Sequence, residues 1–309
     1  MSIGSLIDSR DRSGRAAIRR TAEAVASGLI HASGWAAILI LAAIASFLLL
    51  NASRALGEVG LLTMLTGDSW YPTSDNEQFG FVPMMAGTAW VTIVALLTAV
   101  PLGVASAVYI SEFATGRVKE ISKSIIEFMA AIPSVVYGLL GIALLVPAVK
   151  DILGLDTGLT AFTAGVVVGI MVLPTIVSIS EDALHAVPDA LRQGSAALGN
   201  TRWQTVLKVV LPAASSGIFA ATMLGMGRAI GETMVVLMLA GNAGIIPGDP
   251  FVSVRTMPGT IAAEMGEVVR GGLHYSILFA TGLVLFAVTF AINLAADLVL
   301  ERQRKRWGR

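Results

Sequence analysis

The stretch SGIFAATMLGMGRAIGETMVVLMLA, Ser216 to Ala240, is apolar from end to end apart from Arg228 and Glu232. At a rise of about 1.5 Å per residue, about 20 such residues cross the roughly 30 Å hydrocarbon layer of a bilayer, so the stretch reads as a membrane-spanning helix. A charge near the bilayer centre costs roughly 2.5 to 3.5 kcal/mol even on lenient insertion scales, so both side chains must face protein or water. Their i,i+4 spacing places them on one face of a helix. Two readings follow: a path for a charged solute, or a structural brace between this helix and a neighbour. The order Arg before Glu is the less favoured one for an i,i+4 pair, which weakens a purely intrahelical role.

Five further apolar runs accompany it. Hydrophobic residues make up 55% of the 309 and charged residues 14%, with a mean hydropathy of +0.78. These values lie far from those of soluble domains and define a polytopic membrane protein. The expected spans are 34–50, 85–110, 124–149, 159–179, 213–241 and 275–299, an all-α architecture of six transmembrane helices. With both termini placed inside, sixteen Lys and Arg fall on the cytoplasmic side, and only Arg54, Lys150, Arg255 and Arg270 fall outside. That asymmetry fixes the expected orientation. Arg228 is the one basic residue left within a span.

The organisation expected is a basic cytoplasmic segment at 1–33, a transmembrane domain at 34–299 and a basic cytoplasmic tail at 300–309. A basic stretch before an apolar one mimics a secretory signal, but the basic region is long and five more spans follow, so an uncleaved first helix is the simpler account. Residues 16–33 are expected to form a short amphipathic helix on the inner surface. There are no cysteines, which excludes disulfides and thiolate sites, and His31, His185 and His274 are too scattered for a metal cluster. No cofactor is expected. A net charge of zero gives no sign of a nucleic-acid partner.

The first outer loop, from Asn51 to Met84, carries aromatic and turn residues that fit an ordered docking surface or an interfacial aromatic anchor. The second, from Asn242 to His274, is rich in Gly and Pro and is expected to fold back over the outer mouth. Pro101, Pro133 and Pro174 fall inside expected spans and tend to kink them.

The longest inner connection, 180–211, reads as a helix starting at Pro188-Asp189, a tight turn at Gly199-Asn200 and a second helix. Gly199 and Pro212 are 13 residues apart, with Val209 and Leu211 at aliphatic positions before the proline. This spacing resembles the coupling motif of ATP-binding-cassette importer permeases. The triplet that opens that motif departs from the pattern, reading Gln193-Gly194-Ser195 in place of Glu-Ala-Ala. Four more stretches, EQFGFVP at 77–83, ISEFA at 110–114, IEFMAAIPSVVYG at 126–138 and LGMGRAIGETM at 224–234, narrow the resemblance to permeases of the phosphate-specific transport system.

The resemblance implies a type I importer permease fold, in the cytoplasmic membrane of a prokaryote, with cytoplasmic coupling helices. It implies pairing with a similar second permease, contact with two copies of a cytoplasmic ATPase subunit, and phosphate delivered by an external binding protein. Ser195, Ala196, Ala197, Leu198, Gly199, Asn200, Thr201, Arg202 and Trp203 would form the knob that fits the ATPase. Arg228 is the expected anion contact, because a guanidinium fork suits phosphate oxygens better than a point charge. Glu232 is expected to hold that guanidinium between transport events and so favour release. No Gly-x-x-x-x-Gly-Lys-Ser/Thr sequence occurs, so the chain is expected to be no enzyme and to draw its energy from a partner. The competing functions are a permease for molybdate or sulfate, and a proton-coupled secondary transporter using Glu232 as relay.

Overall fold

The structure, a computed structural model, describes residues 3–307, with side chains at 23 and from 25 to 301. The side chains of the basic stretches 1–22 and 302–309 lie outside the described residues. The chain divides into two compact units, 1–51 and 52–309. The first is helical from Ile3 and belongs to α1 (Ile3–Glu58), so the short helix expected at 16–33 is part of one continuous element. Among the described residues six helical segments are long and apolar enough to cross a membrane: Val25–Glu58, Val82–Phe113, Ser134–Leu153, Ala161–His185, Arg202–Ile230 and Leu273–Glu301.

Two of the expected spans are placed differently, and each shift has a local cause. The run 124–149 does not start a span at Ser124. Helix α4 (Gly116–Ala131) stops before Ile132 and Pro133, which are both extended, and α5 (Ser134–Leu140) starts anew. Proline disfavours helical geometry in the residue before it and donates no N–H. The third span therefore comprises α5, a π turn at Gly141–Leu145 and α6 (Val146–Leu153). Pro101 and Pro174, in contrast, sit within α3 (Val82–Val108) and α7 (Ala161–His185) without ending them.

The run 213–241 is likewise two pieces. Its helix begins early, at α9 (Arg202–Thr205), passes a π turn at Val206–Val210 and continues as α10 (Leu211–Ile230). It then breaks over 231–233 before α11 (Met234–Leu239). Gly231 and Thr233 are weak helix formers, and the Glu232 carboxylate accepts the Val235 N–H at 3.2 Å, offering the backbone an alternative to the helical ladder. These two π turns share a logic that a third, at Tyr109–Phe113, does not. Leu211 N–H bonds Val206 O and Val146 N–H bonds Gly141 O, five residues back, just before Pro212 and Pro147. The donor each proline lacks thus falls beside a widened turn.

Within the unit 52–309, α3 and α7 run parallel and pack along their length. Gly165 and Gly169 permit this approach: a Cβ at Gly165 would lie 2.6 Å from Val94 Cβ, and one at Gly169 2.8 Å from the Ala95 carbonyl. Small residues four apart are how membrane helices gain contact where the hydrophobic effect supplies no drive between them. The surrounding core contains Val91, Ala95, Val168, Met171, Val172, Val235 and Leu239. Helix α10 packs antiparallel on α7, with Gly217 opposite Ala183 and Gly225 opposite Ile176.

At the loop end, α2 (Leu61–Thr66) leads into a hairpin of β1 (Trp70–Tyr71) and β2 (Gln78–Phe79), paired antiparallel with Trp70 opposite Phe79. Trp70, Phe79 and Phe81 are buried in protein, so they are not interfacial anchors. The second loop contributes α12 (Met257–Glu264), capped by the Thr256 hydroxyl accepting from Gly259 N–H. It packs on α3, α11 and α13 (Leu273–Trp307).

Candidate functional site: the mid-span arginine and the turn between spans four and five

The antiparallel register of α10 on α7 carries Arg228 to the level of Thr175, close to the middle of the 25-residue helix α7. Its Nη1 donates to Thr175 Oγ1 at 3.0 Å, and the side chain is otherwise exposed within the unit. The guanidinium keeps most of its donors directed away from helix packing, at mid-depth of a membrane-spanning bundle. That combination suits capture of an anion from a water-filled space.

Glu232 does not complete the pair that the spacing implies. The helix ends at Ile230, so the two residues do not lie on one helical face. The Glu232 carboxylate instead accepts the Val235 N–H that opens α11, and no ion pair joins it to Arg228 among the described residues. The reason is local: i,i+4 geometry requires an unbroken turn, and Gly231 breaks it. Thr175 is the partner that sequence reasoning missed, since hydroxyls in membrane helices usually bond their own backbone. Thr92, which donates to Thr88 O, and Thr233, which donates to Gly231 O, do just that.

The connection outside the spans narrows from 180–211 to 186–201, because α7 runs to His185 and α9 starts at Arg202. Helix α8 (Asp189–Ala197) fills most of it. Gly199 adopts φ +80° with open space around its Cα, the left-handed conformation that lets a helix end and the chain reverse. Thr201 then starts the next helix with a reciprocal capping box: its hydroxyl accepts from Gln204 N–H while the Gln204 side chain accepts from Thr201 N–H. Ser195 is buried beneath the turn, its Oγ 2.8 Å from Thr205 Oγ1 and receiving Asn200 Nδ2 at 3.1 Å. These bonds tie the two limbs together.

Ala196, Ala197 and Leu198 form the outer tip, with Leu198 85% exposed. Arg202 and Trp203 turn back toward the end of the second span, where both meet Phe113. The nine residues from Ser195 to Trp203 therefore form one structured knob with an apolar tip. Arg192, just before it, bonds Glu112. That hydrogen bond holds the guanidinium above its ordinary pKa range despite desolvation, with the charges of Glu112 and Asp189 adding to it. Glu112 lies in the stretch ISEFA at 110–114, and nothing in the sequence pointed to its pairing with Arg192, 80 residues away.

A third cluster closes the loop end. Glu264 accepts from His274 Nε2 at 2.8 Å, from Trp70 Nε1 at 3.1 Å and from Arg255. Burial pushes this carboxyl up, but the bonds from His274 and Trp70 and the Arg255 charge together hold it below the usual carboxylate range.

Six apolar helical segments, a stapled helix-turn-helix between the fourth and fifth, and a lone guanidinium at mid-depth define a membrane transport component. The chain belongs to the family described as binding-protein-dependent transport system inner membrane component, whose model matches residues 99–307. It is 38% identical over 246 residues to the probable ABC transporter permease protein YqgH of Bacillus subtilis, covering 80% of each chain. It is 33% identical to the phosphate transport system permease protein PstC of Mesorhizobium japonicum, covering 95% of each. Among solved structures it resembles a bacterial alginate ABC transporter in complex with an alginate pentasaccharide-bound periplasmic protein, with a TM-score of 0.63, 16% identity and coverage of 90% of this chain and 95% of that one. The MetNI methionine ABC transporter in an inward-facing conformation matches with a TM-score of 0.56 and 21% identity, over 71% of this chain and 94% of that one. The fold is that of importer permeases, and the chain is a multi-pass membrane protein.

Proposed function

We propose that the chain is the permease subunit of an ATP-driven phosphate importer and that Arg228 contacts the anion in transit. The observation that carries this is the guanidinium of Arg228, at mid-depth of the bundle and held by a neutral hydroxyl rather than a carboxylate. A cation balanced by a fixed acid would hold an anion weakly; one steadied by Thr175 stays available. Similarity to a phosphate permease over 95% of the chain points the same way.

In this reading the transmembrane domain at 34–299 forms its path with a second permease subunit, and the termini and the 186–201 connection face the cytoplasm. The knob from Ser195 to Trp203 seats on one of two ATPase copies, so ATP is bound and hydrolysed by those partners and not by this chain. An external binding protein delivers phosphate at the opposite end. Phosphate carries between one and two negative charges near neutral pH and accepts hydrogen bonds in the forked geometry that a guanidinium offers. Glu232, across the break after Ile230, is a path residue whose capping of α11 keeps the backbone open beside Arg228.

The test is Arg228→Gln in a complex reconstituted with its companion permease, ATPase and binding protein. Assembly is expected to persist while ATP-dependent phosphate uptake falls by about a hundredfold, on the order of 3 kcal/mol for a lost charged contact. Uptake at the wild-type rate would refute the role. Uptake that persists at fixed ATP after the proton gradient is collapsed separates this reading from a proton-coupled carrier.

A further inference from the structure

We infer that Glu112 is a positioning residue that clamps the inner end of the second span to the coupling turn, so that nucleotide-driven movement of α8 carries spans two, four and five together. The inference rests on the reading of the chain as an ATPase-driven permease.

Two arginines flank the coupling turn, and both reach the same short segment. Arg192, on α8 before the turn, donates from Nη2 to Glu112 Oε1 at 2.8 Å, with Nε 3.5 Å from Oε2. Its remaining donors go to Leu184 O at 2.9 Å, Val187 O and Asp189 Oδ1 at 3.2 Å. One guanidinium thus joins the last turn of α7, the corner at Pro188 and the end of span two. Arg202, after the turn, donates to the Glu112 carbonyl and lies over the Phe113 ring at 5.2 Å, with Trp203 against the same ring at 5.9 Å.

The gripped segment is the π turn Tyr109–Phe113, closed by Ala114 N–H to Tyr109 O at 2.8 Å. Because the helix ends there, the Glu112 carbonyl has no helical donor and is free to receive Arg202. The Glu112 residue is only 9% exposed, and its other side-chain contact is Ser111 Oγ at 3.4 Å. A carboxylate so buried is satisfied by Arg192 or left without a strong donor.

The mechanical argument follows from the kinds of contact present. A forked guanidinium–carboxylate contact with little access to water fixes both distance and direction, so it resists shear at the inner end of span two beyond what the packing of α3 on α7 supplies. Lys123 and Lys119 add a second tie, reaching Glu181 of α7 from α4 at 2.9 and 3.7 Å. Span four is continuous with the coupling loop and span five emerges from it, so both follow it through the backbone. Span two has no such covalent link; its packing on α7 ties it to span four, and Glu112 ties its inner end to α8 itself.

The test uses the reconstituted complex and reads phosphate uptake, ATP hydrolysis and one distance. The chain has no cysteine, so Ala105→Cys on span two and Ala190→Cys on α8, outside the knob that seats on the ATPase, accept spin labels with no competing thiol in this chain. In the otherwise wild-type chain the distance between labels is expected to stay fixed when nucleotide is added. With Glu112→Gln it is expected to broaden or shift by several ångströms, while hydrolysis stays within about twofold and uptake per ATP falls roughly tenfold. A Glu112→Gln complex with wild-type uptake per ATP and an unmoved distance overturns the clamp. If Glu112→Gln does not assemble, Arg192→Lys keeps the charge and removes the fork: uncoupling there supports the clamp, and a wild-type ratio overturns it. Failure of the unmodified complex to take up phosphate with ATP would sink the transport reading, yet the label distance would still report on the clamp.

Discussion

At the scale of single residues, the decisive change from sequence to structure concerns what steadies Arg228. A lone arginine in an apolar run was legible, because nothing else in Ser216–Ala240 but Glu232 carries charge. Its partner was not, because pairing depends on whether the chain stays helical past Ile230, and a single glycine followed by a self-capping glutamate decides that locally. Thr175 comes from another span altogether, 53 residues away in sequence. Thr175→Val keeps shape and volume and deletes only the hydroxyl. It is expected to leave assembly intact and to raise the phosphate concentration needed for half-maximal uptake roughly fivefold, about 1 kcal/mol for one hydrogen bond to a charged donor. If transport is instead unchanged, Arg228 does not depend on Thr175 for its position.

At the scale of elements, the number of spans was legible and their ends were not. Apolar length identifies a span, but 124–131 is apolar enough to join the next run even though Pro133 cuts it off, and the helix of span five extends back through Lys208 to Arg202. Hydropathy is blind to such boundaries because a helix outside the hydrocarbon is stabilised by caps and ion pairs, as α4 is held by Lys119 and Lys123 on Glu181. The turn between spans four and five was readable in outline, since Pro188-Asp189 and Gly199 each act through their immediate neighbours, whereas the Thr201–Gln204 capping box emerged only in the structure. The close seating of α3 on α7 hung on Gly165 and Gly169 and on which strip of α3 they meet, information that one helix alone does not contain. Gly169→Leu forces a side chain into the Ala95 carbonyl and the Thr98 side chain. Overpacking of this kind costs about 1 to 3 kcal/mol. The expected result is a complex whose thermal unfolding midpoint drops by several degrees, with Gly169→Ala intermediate, and equal midpoints for all three would show that the helices do not meet there.

At the scale of the whole molecule, the described residues hold, among other charges, a cation midway along a span, arginine-based ties around the turn between spans four and five and a carboxylate hub at the loop end. The hub ties the first loop to the second, since Trp70 belongs to the hairpin, Arg255 and Glu264 to the second loop and α12, and His274 to the start of α13. Its pH behaviour follows from the direction of the Glu264 shift. The carboxyl titrates below its ordinary value of 4.5 in the folded chain, so the folded state prefers the ionised form. That preference contributes stability at every pH above the ordinary value, and the contribution is lost as pH falls through the lower folded value. Acidification from neutrality to about pH 5 should therefore leave the loop end closed, and further acidification should open it. Glu264→Gln removes the charge at all pH values while leaving a carbonyl to accept from Trp70. The variant is expected to unfold at a lower temperature than the parent at pH 7, and the gap between the two should shrink as pH drops below about 4.5. A gap that stays constant down to acidic pH would mean that the three donors do not act on Glu264 through its charge, and that the loop end is held by the packing of Trp70 against Phe79 and Phe81 alone.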